Sequence, residues 1–240
     1  YRKEVTGELS DEVLRTFEER LNYLRNMEER KDDIKRIIEE QGKLTEELSA
    51  QIDNAQKLSE LEDIYRPFRP KRRTRATVAK EKGLEPLSNI LYLQNFTNGD
   101  IDEIAAPFID KEKGVNNTEE ALAGAMDIIA EAVSDNAEHR KKIRELTEKN
   151  GLLVSKAATE EDSVYRLYYD FAEPVAKAVP HRVLAIDRGE KEKLLSVSVD
   201  VDEEKILSYL KKREITNRAS ITATYVEAAV EDAYKRLIQP

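Results

Sequence analysis

The residues that could carry acid–base or metal chemistry are two histidines, His139 and His181, and forty-nine carboxylates. Zinc needs further His or Cys at ligand spacing; neither histidine has one, and the chain contains no cysteine. Carboxylates are so numerous that no pair stands out as general acid and base. His139 sits in a stretch dense with charge, so the sequence predicts a solvated surface residue. His181 lies between Pro180 and Arg182 at a predicted helix start, where an imidazole caps or packs more readily than it catalyses. The eight glycines never fall as G-x-G, none precedes Lys-Ser/Thr at phosphate-loop spacing, and there is no G-x-S-x-G elbow. The sequence predicts no enzyme, no cofactor and no metal site.

A different chemistry is concentrated in R-P-F-R-P-K-R-R-T-R-A-T-V-A-K at 66–80. Between Arg66 and Lys82 stand eight basic residues and one acid, a local charge of +7 on a chain whose total is −9. Guanidinium forks match phosphate oxygens two at a time, so Arg66, Arg69, Lys71, Arg72, Arg73 and Arg75 are candidates for nucleic-acid contact. Thr74 is placed to cap the following helix, whose free N–H groups would add to an anion site. Pro67 and Pro70 predict an extended path for the first half of this run. A second reading stays open: the same cations pair with acidic helices or a partner in an ion network.

The elements that must position these residues are mostly helical. Glycines and prolines total fifteen in 240 residues, too few for a turn-rich β protein. Ser10, followed by Asp11 and Glu12, starts a helix of roughly thirty residues, 11–41, with apolar residues at three- and four-residue steps and a stop at Gly42. Thr45 caps the next helix, helix resumes near Thr74 and ends at Gly83, and Pro86 opens another. Thr118 to Val133 is apolar around most of its circumference and belongs in the core, and a charged helix from Ala137 stops at Asn150-Gly151. Strand character is confined to Leu152–Val154 and Leu195–Val201, the latter alternating with period two. Helices follow at Glu203–Lys212 and Ser220–Ile238. No apolar run approaches the ~20 residues that span a bilayer, and no signal peptide is present, so a cytoplasmic protein without a membrane partner is expected. The opening Tyr1-Arg2-Lys3-Glu4, without Met, suggests a fragment.

At four places the chain resembles the Tex family of bacterial transcription accessory proteins: Y-R-K-E-V-T-G at 1–7, L-E-D-I-Y-R-P-F-R-P-K-R-R-T-R-A-T-V-A at 61–79, P-H-R-V-L-A-I-D-R-G-E at 180–190 and A-Y-K-R-L-I at 233–238. Two positions depart from the family pattern: a P-S-H-R serine is missing beside His181, and Lys193 stands where a glycine is common. The resemblance implies a helical N-terminal region with a helix-turn-helix-like part, preceding a YqgF-type ribonuclease-H-like domain, helix-hairpin-helix elements and an OB-fold RNA-binding module. It implies a chain ending at Pro240 before the YqgF-like domain. It also implies that His181–Arg188 is a short helix ended by Gly189, with His181, Arg182 and Arg188 as a possible second patch or, alternatively, structural partners.

The expectation is therefore a mainly α architecture with a long helical strut, a helix-turn-helix-like part and a minor β element after residue 150. The segments are a helical arm 1–70, a helical subdomain 71–150 with the basic run at its start, and 151–240 with short strands. The expected function is a non-enzymatic module that binds RNA or DNA, transcription machinery, or both. The rival is a scaffold that positions downstream nucleic-acid-binding domains of the parent chain.

Overall fold

The computed structural model describes Gly7 and residues 9–70, 72–159 and 162–240. These fall into two compact units, Tyr1–Pro70 and Lys71–Pro240. The chain is mainly helical with one small sheet, and no helix among the described residues is long and apolar enough to cross a membrane.

The first unit is organised by α1 (Asp11–Glu40), thirty residues long and so about 45 Å. Ser10 caps it by accepting from the Val13 N–H, Asp11 and Glu12 fill its first turn, and Gly42 terminates it at φ 66°. Its C-terminal half buries Met27, Ile34 and Ile38 against Ile52, Leu61 and Tyr65 of α2 (Glu46–Asn54) and α3 (Leu58–Tyr65). In its N-terminal half Val13, Phe17 and Leu24 are exposed. The expected extended path at the prolines is replaced over Arg66–Phe68 by a 3-10 turn. Proline's fixed φ suits the first turn of a helix as well as an extended strand, and the Arg69 N–H closes the turn on the Tyr65 and Arg66 carbonyls.

The second unit is built around α7 (Thr118–Asp135), which buries Ala121, Ala125, Ile129 and Val133. Packed on it are α4 (Arg75–Glu81), α5 (Glu85–Leu93) and α11 (Ala223–Asp232), while α6 (Ile101–Ala105) and α8 (Ala137–Asn150) flank it. Gly124 permits the close approach of α7 to α4 and to the residue that opens α5: a Cβ there would stand 3.4 Å from Ala79 Cβ and 2.4 Å from Leu84 Cδ1. A three-stranded antiparallel sheet of order β2-β1-β3 follows, from β1 (Leu152–Ala157), β2 (Asp170–Pro174) and β3 (Leu195–Asp200). α9 (Pro180–Lys191) packs on β3, and α10 (Glu203–Glu214) leads through a loop to α11. The helix expected over Ser220–Ile238 is compound: Ala223–Asp232 is α-helical and Ala233–Ile238 a π-turn.

Two expectations are overturned in this unit. Gly189 does not end its helix. It lies buried inside α9, where a Cβ would meet Leu195 Cδ1 at 2.6 Å and Tyr165 Cδ1 at 3.1 Å, so the missing side chain serves packing. The helix closes instead at Lys193, left-handed at φ 60°, whose N–H bonds the Glu190 carbonyl while Leu194 N–H bonds that of Gly189. That is the Schellman arrangement, which favours glycine, and it gives a physical reason for the glycine expected at this position. His139 is likewise not solvated but buried. Its Nε2 lies 2.5 Å from Glu214 Oε1, its Nδ1 3.3 Å from Tyr209 Oη, and the Tyr92 hydroxyl donates to Glu214 Oε2 at 2.5 Å. The carboxylate thus ties α5, α8 and α10 together. Burial opposes ionisation of Glu214, but the hydrogen bonds from His139 and Tyr92 outweigh it and hold the carboxyl below its ordinary range. Burial, reinforced by the same carboxylate, pushes the Tyr92 phenol up.

Candidate nucleic-acid interface

The basic run is divided by the boundary between the units, and its two halves have different environments. In the first unit Glu62 receives both Arg30 Nε, at 2.7 Å, and Arg69 Nη2, at 2.8 Å. The two guanidiniums also lie 5.2 and 5.7 Å from the ring centroid of buried Tyr65. The Glu62 hydrogen bond is the main reason that the Arg30 pKa is raised further. Arg66 is half-buried and engaged in contacts of its own. Arg69 is thus paired within this unit, with its side chain still 54% exposed.

The second half begins with Lys71, which lies outside the described residues. Arg72 is exposed and meets no carboxylate among the described residues. Arg73 bonds Glu81 Oε2 at 3.0 Å, with its side chain 72% exposed, a pairing worth ~0–1 kcal/mol in water and easily exchanged. Thr74 caps α4, accepting from the Thr77 N–H at 3.0 Å. That cap uses one first-turn donor of a seven-residue helix, so charged side chains dominate the electrostatics here. Arg75 is exposed on the first turn of α4 and forms no ion pair among the described residues.

Between α4 and α7 an open groove of about 470 Å³ is lined by Arg73, Arg75 and Lys82, and by Glu120 and Asp127. Both acids are engaged. Asp127 accepts from Arg236 Nη2 at 3.0 Å, and Glu120 accepts from the Asn116 backbone and side chain. Burial raises the Asp127 pKa, opposed by Arg236 and Arg75; the Asn116 hydrogen bonds lower that of Glu120. Lys82 donates to the Gly114 carbonyl at 2.7 Å. The groove thus sets the Arg73, Arg75 and Lys82 cations beside Asp127, which Arg236 pairs, and Glu120, which keeps its charge.

The other candidates do not converge. Arg182 Nη1 is spent on Glu173 Oε2 at 2.7 Å, a buried carboxylate of β2. His181 and Arg188 are exposed two turns apart on the same helix. No group of three or more His, Asp or Glu able to hold a metal occurs among the described residues. What the sequence missed is the His139–Glu214–Tyr92 cluster. Its members are 75 and 122 residues apart in sequence and carry no local signal.

Two family models match: a Tex-like protein N-terminal domain over residues 1–39 and a Tex central region-like domain over 97–238. The Bacillus subtilis protein YdcI is 45% identical over 245 residues, covering all of this chain and 34% of its own. The transcriptional accessory protein Tex of Neisseria gonorrhoeae is 39% identical over 203 residues, 83% of this chain and 26% of its own. A human S1 RNA-binding domain-containing protein is 26% identical over 213 residues, 85% of this chain and 21% of its own. The chain thus spans about a third or less of the length of these relatives.

Proposed function

The chain belongs to the Tex-like family, and from that premise we propose that it is a non-enzymatic, cytoplasmic helical module of a transcription accessory protein that contacts RNA or DNA through Arg72, Arg73 and Arg75. One observation carries this reading: in the second unit these three guanidiniums are exposed, and neither Arg72 nor Arg75 pairs with a carboxylate among the described residues. Weakly hydrated guanidinium forks that are exposed and unpaired at Arg72 and Arg75 among the described residues suit phosphate oxygens. The names of two relatives, a transcriptional accessory protein and an S1 RNA-binding domain-containing protein, support the same direction.

The scaffold reading applies to the other half of the run. Arg69 pairs with Glu62 and lies over Tyr65, so in this reading it serves the first unit and not the ligand. The remainder of the parent protein and the transcription machinery are the further partners. Fluorescence anisotropy with a labelled RNA strand tests this division. Arg72→Glu with Arg73→Glu should weaken binding and flatten its salt dependence at unchanged melting temperature, whereas Arg69→Ala should leave affinity intact. Full affinity in the double variant would refute the proposal.

A further inference from the structure

A second surface forms where the C-terminal end of α5 meets the loop between α10 and α11. Gln94, buried and left-handed at φ 51°, joins them. Its Oε1 accepts from the Thr216 and Asn217 N–H groups, its carbonyl accepts from Asn217 Nδ2, and its Nε2 donates to the Glu214 carbonyl at 2.8 Å. The Phe96 carbonyl accepts from Ser220 Oγ at 2.8 Å and Ile221 N at 2.9 Å. Thr222 Oγ1 donates to the Leu91 carbonyl at 2.9 Å. Residues 215–222 are therefore fixed along their whole length, and what they present is Arg218, exposed and unpaired among the described residues.

Beside this loop three apolar side chains stand in water: Tyr92, Leu93 and Phe96 are 44%, 62% and 42% exposed. The Tyr92 ring is held in place by its bond to Glu214. Lys212 and Arg213 are exposed at the end of α10. The charge is one-sided. Residues 89–99 carry none, and the sole acid of 212–222 is Glu214, buried with both oxygens engaged. A helix C-terminus attracts cations by itself, which accounts for Lys212 and Arg213. It does not account for Arg218, beyond the helix, nor for two exposed rings beside it.

We propose that this surface binds single-stranded nucleic acid, with Phe96 and Tyr92 as platforms for unstacked bases and Arg218, Arg213 and Lys212 receiving the phosphates. Every base has a face that stacks on an aromatic ring, and a duplex hides those faces, so rings flanked by cations select a single strand. The site shares no residue with 66–75 and does not depend on that stretch.

The chain contains no tryptophan, so Phe96→Trp installs a single indole at the platform, which can be excited apart from the tyrosines. Titration with oligouridylate and oligothymidylate of about 12 nucleotides, monitored by indole emission and by anisotropy of a labelled strand, should give quenching that tracks binding. Arg218→Ala should weaken binding about three- to tenfold and lower the log–log salt slope by about 0.7. Phe96→Ala should cost about fivefold or more, and Phe96→Tyr should retain affinity. The proposal is overturned if strands bind without quenching the indole, if Arg218→Ala binds with unchanged affinity, or if neither strand binds. Repeating the titration with Arg72→Glu and Arg73→Glu separates the two sites: quenching that survives keeps this one when the basic stretch is neutralised.

Discussion

Glu214→Gln removes a buried charge that two donors share. The carboxylate is 6% exposed and lies 2.5 Å from both His139 Nε2 and Tyr92 Oη. Hydrogen bonds to a charged group contribute roughly 1.5–3 kcal/mol each. Glutamine keeps the shape but offers one oxygen, so one donor is left without its acceptor and the bond of the other is no longer ionic. The expected cost is about 2–4 kcal/mol at neutral pH, a fall in melting temperature of about 5–15 °C for a domain of this size. Because the folded state lowers the Glu214 pKa, its ionisation contributes stability that is complete above the ordinary glutamate value of 4.5. That contribution disappears as pH falls through the lowered folded value. Urea denaturation followed by circular dichroism should therefore show a gap between wild type and Glu214→Gln that is full near pH 7 and closes on acidification below about 4.5. A variant as stable as wild type at neutral pH, or a gap that ignores acidification, would refute this account of the cluster.

Three further changes separate packing from binding. Lys193→Gly should stabilise the chain by about 1 kcal/mol, since the left-handed C-cap penalises a side chain, and thermal melting would show it as a rise of about 2–4 °C. Gly189→Ala should destabilise by about 1–3 kcal/mol despite alanine's helix preference, because its Cβ would press on Leu195 and Tyr165; a neutral result in the same melt would mean that α9 and β3 yield easily. Arg69→Ala should cost about 1 kcal/mol or less by removing the Glu62 pair, measurable by urea titration, with nucleic-acid affinity unchanged.

Local signals were legible wherever they acted locally. Ser10, Gly42, Thr45, Thr74 and Gly83 mark helix ends with the caps and left-handed turns their residue types favour. Leu152–Val154 and Leu195–Val201 coincide with β1 and β3 as paired strands. β2 was not legible: D-F-A-E-P lacks alternation and ends in proline, and is a strand only because β1 pairs with it. α6 was hidden by its five-residue length. The burial of His139 was not legible because its neighbours in sequence are charged, while its partners Tyr209 and Glu214 both come from α10. At the basic run, composition identified the cations. Which of them are occupied depends on Glu62, Tyr65 and Glu81 in space, and α3 places the first two beside Arg69 only after folding.

The central claim concerns the exposed half of that run, and its most direct test is the salt dependence of binding. Anisotropy of a labelled single-stranded RNA and of a DNA duplex would be recorded from about 50 to 200 mM salt for wild type and the Arg72/Arg73/Arg75 triple alanine variant. The account predicts a steep wild-type slope that becomes shallower by about two in the variant on RNA, at about 0.7 for each phosphate no longer neutralised, with the fold unchanged by circular dichroism. Wild type and variant sharing one slope, or no binding by wild type at low salt, would contradict it.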